Sequence, residues 1–206
     1  MNKSMIAIVA TGLILCSALS GYASPKVLMI VKDGSDSMDL MLTKEIGVMM
    51  SLFRKAGYEP VVATESGRLL KGSSVSLQPD LKLRDVSIGD YVGAMVPCMA
   101  YGIGNGVAPE GVSLVKEAFD RGMPVAAQQG GVAFLAKAGI LKGRHFAIAR
   151  GYQYIAPEGI YEGDGVTTDG KIITAGVCPY QATSTTPSTT EELTRQFIRL
   201  LKATQP

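Results

Sequence analysis

Residues 124–139, PVAAQQGGVAFLAKAG, read as a short apolar strand that stops at two glutamines, turns through Gly130 and Gly131, and starts a helix. Strand, tight glycine turn and helix, in that order, form the unit from which parallel α/β sheets are assembled, because the returning helix must cover the apolar face left by the strand. In many α/β enzymes such a turn presents a nucleophile. Here it presents Gln128 and Gln129, so the stretch suggests a fold and poses a question about function.

The same alternation extends in both directions. KVLMIVKDG (26–34) is a wholly apolar run closed by a turn, as expected of a strand covered on both faces. DLMLTKEIGVMMSLFRKA (39–56) places Leu42, Ile46, Met49, Met50 and Phe53 at helical spacing, with Gly57 as its cap. YEPVVATES (58–66) and DYVGAMVPC (90–98) are further strands, separated by a polar excursion through Leu83. PEGVSLVKEAFDRG (109–122) is an amphipathic helix. RHFAIAR (144–150) and KIITAG (171–176) supply later strands, the second preceded by a hairpin turn at Asp169 and Gly170. STTEELTRQFIRLLKA (188–203) closes the chain as a helix, with capping-box spacing from Ser188 to Glu191 and Leu193, Phe197, Leu200 and Leu201 on one face. No linker or internal repeat divides the chain, so residues 24–206 are expected to form one α/β domain. Its central sheet should be mainly parallel, with helices on both faces.

Composition narrows the function classes. A chain of 206 residues, 47% hydrophobic and 18% charged, is neither a disordered chain nor a polycation suited to nucleic acid. Residues 1–23 have the layout of an export signal: Lys3, an apolar run from Met5 to Leu19, and GYAS around a cleavage point after Ala23. That run is shorter than the ~20 residues a membrane span needs, and Leu15 before Cys16 does not suit lipid attachment. Removing the signal lowers the net charge from +2 to +1 by the loss of Lys3, and leaves Cys98 and Cys178 in a periplasmic or secreted protein. Two cysteines 80 positions apart and a single His145 match no zinc-ligand spacing. No metal or cofactor is expected.

KVLMIVKDGSDSMDLMLT, AGYEPVVATESG, DYVGAMVP, GMPVAAQQGGVAFLAKAGILKGR and DGKIITA, in that order and spacing, resemble the ThiJ/PfpI superfamily. These are flavodoxin-like three-layer domains related to class I glutamine amidotransferases, and include proteases, glyoxalase-like enzymes and chaperones. The resemblance spans Lys26 to about Ala203. It implies an elbow cysteine in a pattern like A-x-C-H-G, a carboxylate from the segment after the first strand, and oxyanion-binding glycines after the strand ending in PGG. On this chain those positions fall on Gln129, with Gly130 at the following histidine; on Asp39; and on Cys98 and Met99. The glycine-proline loop that borders the family pocket matches AGVCPYQ, which contains Cys178 and Pro179.

A glutamine amide cannot form a covalent acyl or hemithioacetal intermediate, so carry-over of protease or deglycase activity is not expected at position 129. The expected pocket comprises Asp39, Cys98, Met99, Gln128, Gln129, Gly130, Gly131, Cys178 and Pro179; either it holds a small polar or anionic ligand, or Gln129 bonds Asp39 and fills the old site in a structural member of the family. Three states are open for the cysteines: a Cys98–Cys178 disulfide, two buried thiols, or a reactive Cys98. The alternative to binding is a hydrolase or lyase using Cys98 or an Asp39-activated water. A homodimer is expected from the resemblance. Tyr101 is a wall or lid of the pocket, while His145 and Arg150 are read as structural and surface residues.

Overall fold

The computed structural model describes residues 23–205. The expected export signal, all but Ala23, and Cys16 lie outside the described residues. The elements run β1 (Lys26–Ile30), α1 (Met38–Met41), a π-helical turn (Leu42–Ile46), α2 (Gly47–Lys55), β2 (Glu59–Thr64), β3 (Leu70–Lys71), β4 (Ser76–Leu77), β5 (Leu81–Lys82), β6 (Tyr91–Val96) and α3 (Pro109–Asp120). They continue with β7 (Val125–Gln128), α4 (Val132–Lys137), β8 (His145–Phe146), β9 (Ile160–Tyr161), β10 (Val166–Asp169), β11 (Ile172–Ala175) and α5 (Thr190–Thr204). Seven strands form one sheet in the order β10-β11-β7-β6-β1-β2-β5, with every pairing parallel except β10 with β11. This is the mainly parallel sheet anticipated from the alternating segments, in the flavodoxin-like form that the resemblance implies.

Alternation along β1 shows how the three layers arise. Successive strand side chains point to opposite faces. Val27, Met29 and Val31 therefore enter one core with Met49 and Phe53 of α2 and Leu193, Phe197 and Leu201 of α5. Leu28 and Ile30 enter the other, with Leu114, Val115 and Ala118 of α3 and Phe134 and Leu135 of α4. Phe53 and Phe197 meet edge-to-face with centroids 6.0 Å apart, an arrangement the ring quadrupoles favour. Both faces of β1 are thus sealed, as its unbroken apolar text requires.

Three local expectations are corrected. Residues 144–150 do not add a strand to the main sheet: only His145 and Phe146 are extended, and they pair with β9 in a separate two-stranded ribbon. The sheet edge beside β11 is already occupied by β10, its antiparallel hairpin partner, and the Asp169 carboxylate takes the His145 N–H. The excursion before Leu83 contains a hairpin, β3–β4, and the edge strand β5. The Ser188–Glu191 capping box does not form. α5 begins at Thr190, and the Ser188 hydroxyl instead lies against Val177 O and the Thr190 hydroxyl.

Candidate functional site

The site is assembled where three neighbouring strands end. Val96 of β6 is in register with Ala127 of β7, and Ala175 of β11 with Gln128. Cys98 and Gln129 therefore stand two residues, and Cys178 four, beyond the common level of Val96, Ala127 and Thr174, at the carboxyl ends where parallel sheets place their crevices. They line one cavity of about 140 Å³, with walls that include Tyr101, Tyr152 and Tyr180, and Asp36 at its exposed side.

The elbow is retained in form. Gln129 has φ 40°, in the left-handed region that a non-glycine side chain rarely adopts, and is 5% exposed. Gly131 permits the turn, because a Cβ there would lie 2.2 Å from the Val96 carbonyl oxygen and 2.7 Å from that of Pro97. The Gln129 Oε1 accepts the Cys98 thiol at 3.5 Å. Its Nε2 donates to no protein group and is not sealed from the cavity, among the described residues. Gln128 has another job: fully buried, it donates to Val177 O at 2.8 Å and accepts from the Thr190 hydroxyl at 3.0 Å. It ties the Cys178 loop to α5 and does not line the cavity.

The carboxylate facing this site is Glu45, not Asp39. Asp39 is turned outward at the start of α1, where its two oxygens accept the N–H groups of Ser73, Ser74 and Val75. Those bonds, Ser74 first, hold its carboxyl below the usual range. The β3–β4 turn needs an acceptor for three converging amides, and Asp39 supplies it. Glu45 sits in the π-helical turn, fully buried, and accepts the N–H of Cys98 at 2.9 Å and of Met99 at 3.0 Å. Burial pushes its carboxyl well up, and the nearby Cys98 sulfur acts in the same direction. The two amides and Lys32 pull it back.

Lys32, at the carboxyl end of β1, is the second charge the site contains, 2% exposed with Nζ 3.4 Å from Gly102 O. Burial lowers its pKa, opposed by the sulfur of Cys98 and then by Glu45, Cys178 and Asp36. Sequence gave signs of both residues. Glu45 lies on the same helical stripe as Leu42, Ile46 and Met49, a charge on an apolar face, and Lys32 closes an apolar strand at its functional end.

The loop after β6 closes one side. Met99 and Ala100 have φ 57° and 43°, and Gly102, Gly104 and Gly106 are also left-handed. Tyr101 is held between two glycines: a Cβ on Gly34 would come within 2.7 Å of its ring, and one on Gly106 within 3.1 Å. The Cys98 sulfur accepts the Ala100 N–H at 3.3 Å and lies beside the Gly130 backbone. The neighbouring Cys178 thiol, and then burial, push the Cys98 thiol well above the usual range, against the amides of Gly130 and Ala100. Cys98 and Cys178 are free thiols here.

Of the other residues anticipated in the pocket, Met99 is fully buried in the core beneath it, Gly131 packs on β6, and Pro179 lies beside the cavity without lining it. His145 contacts Glu162, and Arg150 is exposed; neither lines the cavity. Among the described residues no group of three or more His, Cys, Asp or Glu is arranged to hold a metal ion, and no helix is long and apolar enough to cross a membrane.

Residues 25–199 match the model of the DJ-1/PfpI family. An uncharacterized protein of Archaeoglobus fulgidus is 33% identical over 132 residues, covering 59% of this chain and 74% of its own. Among solved structures, the ThiJ/PfpI domain protein from Brachyspira murdochii superimposes with a TM-score of 0.74 at 16% identity, over 87% of this chain and 98% of that one. Drosophila melanogaster DJ-1beta superimposes with a TM-score of 0.64 at 22% identity, over 87% and 95%. At these identities the solved structures share a fold with this chain.

Proposed function

This chain belongs to the DJ-1/PfpI family, and from that premise we propose that it acts by non-covalent binding of a small polar or anionic molecule in the elbow cavity. One observation supports this most: Gln129 occupies the strained elbow position with its Oε1 engaged by Cys98, while its Nε2 is left to donate into the cavity. A buried, strained polar side chain costs stability and is retained where its polar atom has a use.

The lining suggests the ligand's chemistry. Gln129 Nε2 and the hydroxyls of Tyr101, Tyr152 and Tyr180 offer donors, and the Lys32 ammonium behind Cys98 adds positive potential. A carbonyl or carboxylate end would face them. Asp36, on the other side, offers an acceptor for a hydroxyl or ammonium group. A cavity of about 140 Å³ suits a molecule near the size of benzene, by comparison with engineered cavities of ~150 Å³.

The hydrolase or lyase alternative gains little. Its Asp39-activated water would require a carboxylate that is instead bound to residues 73–75, and Cys98 is 2% exposed with its thiol already engaged by Gln129 Oε1 and the Ala100 N–H. In the same reading the protein is exported after loss of residues 1–23 and pairs with a second copy, which N-terminal sequencing of the mature protein and sedimentation would test.

The direct experiment is a thermal-shift and NMR titration of the reduced protein with acetate, pyruvate, glycine and inorganic phosphate. Binding at a hundredfold excess over Kd stabilises by about 2.7 kcal/mol, or a rise in Tm of several degrees for a domain of this size. The shift should vanish in Gln129→Leu. A Gln129→Leu protein that binds the same probe equally well would remove the basis of the reading.

A further inference from the structure

The binding reading leaves two sulfurs without a role. Cys98 follows β6 and Cys178 follows β11, the strands on either side of β7, and their loops fold over its end so that both residues line one cavity. They are 2% and 1% exposed, and both are free thiols. Cysteines on two loops that wall one small cavity can be brought to bonding distance by a loop shift, whereas cysteines held apart on rigid elements cannot be bridged.

We propose that Cys98 and Cys178 form a two-electron redox couple, which a small hydroperoxide entering the cavity converts from dithiol to disulfide. The inference does not depend on the ligand of the binding site. In the first step the Cys98 sulfur attacks the terminal peroxide oxygen. An S–O bond forms, the O–O bond breaks, and the thiol proton passes to the departing alkoxide, which leaves as an alcohol. In the second, the Cys178 sulfur attacks the Cys98 sulfur. The S–S bond forms, the S–O bond breaks, and hydroxide leaves as water with the Cys178 proton. The two thiols give up two electrons and two protons, and the hydroperoxide is reduced to alcohol and water.

The surroundings suit a slow, protected couple. The N–H groups of Ala100 and Gly130 and the buried Lys32 ammonium stabilise negative charge as it develops on the Cys98 sulfur. The neighbouring Cys178, and then burial, push the Cys98 thiol up, which favours its protonated form at rest. The small cavity admits hydrogen peroxide and excludes a protein thiol, so the couple answers to small oxidants rather than to exchange with a protein disulfide.

The test is to treat the reduced, full-length protein with hydrogen peroxide, alkylate it under denaturing conditions, and map its peptides by mass spectrometry. The expected result is loss of both thiols together, a linked peptide pair lighter by two hydrogen atoms, and recovery of both thiols with dithiothreitol. Cys178→Ala should then carry added oxygen on Cys98, with no linked pair. The proposal is overturned if both thiols of the wild-type protein survive, or if either gains oxygen while no Cys98–Cys178 pair forms. The wild-type result alone decides, so a variant that fails to fold does not weaken the test.

Discussion

One carboxylate, that of Glu45, accepts the backbone N–H of Cys98 with one oxygen and that of Met99 with the other, at 2.9 and 3.0 Å. It thereby holds the start of a loop whose next two residues are both left-handed. Without that clamp the two amides are buried and unpaired. Glu45→Ala should cost about 2–4 kcal/mol, the cost of two orphaned donors, and loosen the Tyr101 wall of the cavity. Urea unfolding measures the first effect, and hydrogen exchange at residues 98–102 the second.

Glu45 also sets a pH dependence. Its carboxyl is raised in the folded protein, so the native state binds the proton more tightly than the unfolded chain does. Its contribution is fully present below the ordinary carboxylate range and is lost as pH rises through the raised value. In Glu45→Gln that decline should disappear, leaving a flatter stability profile from acid to neutral pH.

Lys32 acts with the opposite sign. Its pKa is lowered by burial, so the native state holds the proton less tightly, and stability rises as pH climbs from the lowered value towards the ordinary lysine range. Lys32→Met should remove that rise and be neutral or more stable near neutral pH, by about 1–3 kcal/mol, as when a buried charge is replaced by an apolar side chain of similar volume. It should also weaken binding of an anionic probe.

Glycine substitutions separate the elbow from ordinary turns. Gly131→Ala drives a Cβ into the Val96 carbonyl, a backbone atom that cannot swing aside. It should destabilise by about 3 kcal/mol or more, the upper range for overpacking. Gly165→Ala, in open space and without a left-handed φ, is the control and should change stability by less than about 0.5 kcal/mol. Chemical denaturation of the pair checks both.

Asp39→Ala should release the turn at residues 73–75 and raise its hydrogen-exchange rate, because three N–H groups lose their acceptor. Probe binding in the elbow cavity should be unchanged. A loss of binding would put Asp39 back among the site residues.

Much of the fold was legible because the main strands and helices carry one signal each. The apolar runs at 26–30 and 125–128 have no solvent face, and the stripe from Leu42 to Phe53 has only one buried side. RHFAIAR misled because an apolar run does not say which edge is vacant, and β10 had taken the one beside β11. The elbow at Gln129 was legible as strand, glycine turn and helix. The site carboxylate was not: Asp39 stood at the expected distance from β1, while Glu45 reached the loop from a π-helical turn that regular spacing does not anticipate. Lys32 was overlooked because a lysine ending a strand is ordinarily solvated. That Cys98 and Cys178 share one rim was legible through the family resemblance, whereas their state as two free thiols was not, because it depends on loops of irregular backbone that local pattern does not place.

Gln129 is expected to hold its ligand without a covalent bond. The most direct test is a crystal structure of the reduced protein with whichever probe raises Tm most. Density is expected in the cavity with an acceptor atom within hydrogen-bond distance of Gln129 Nε2 and no covalent bond to the protein. A probe bonded covalently to Cys98, or seated elsewhere with Gln129 untouched, would contradict that expectation.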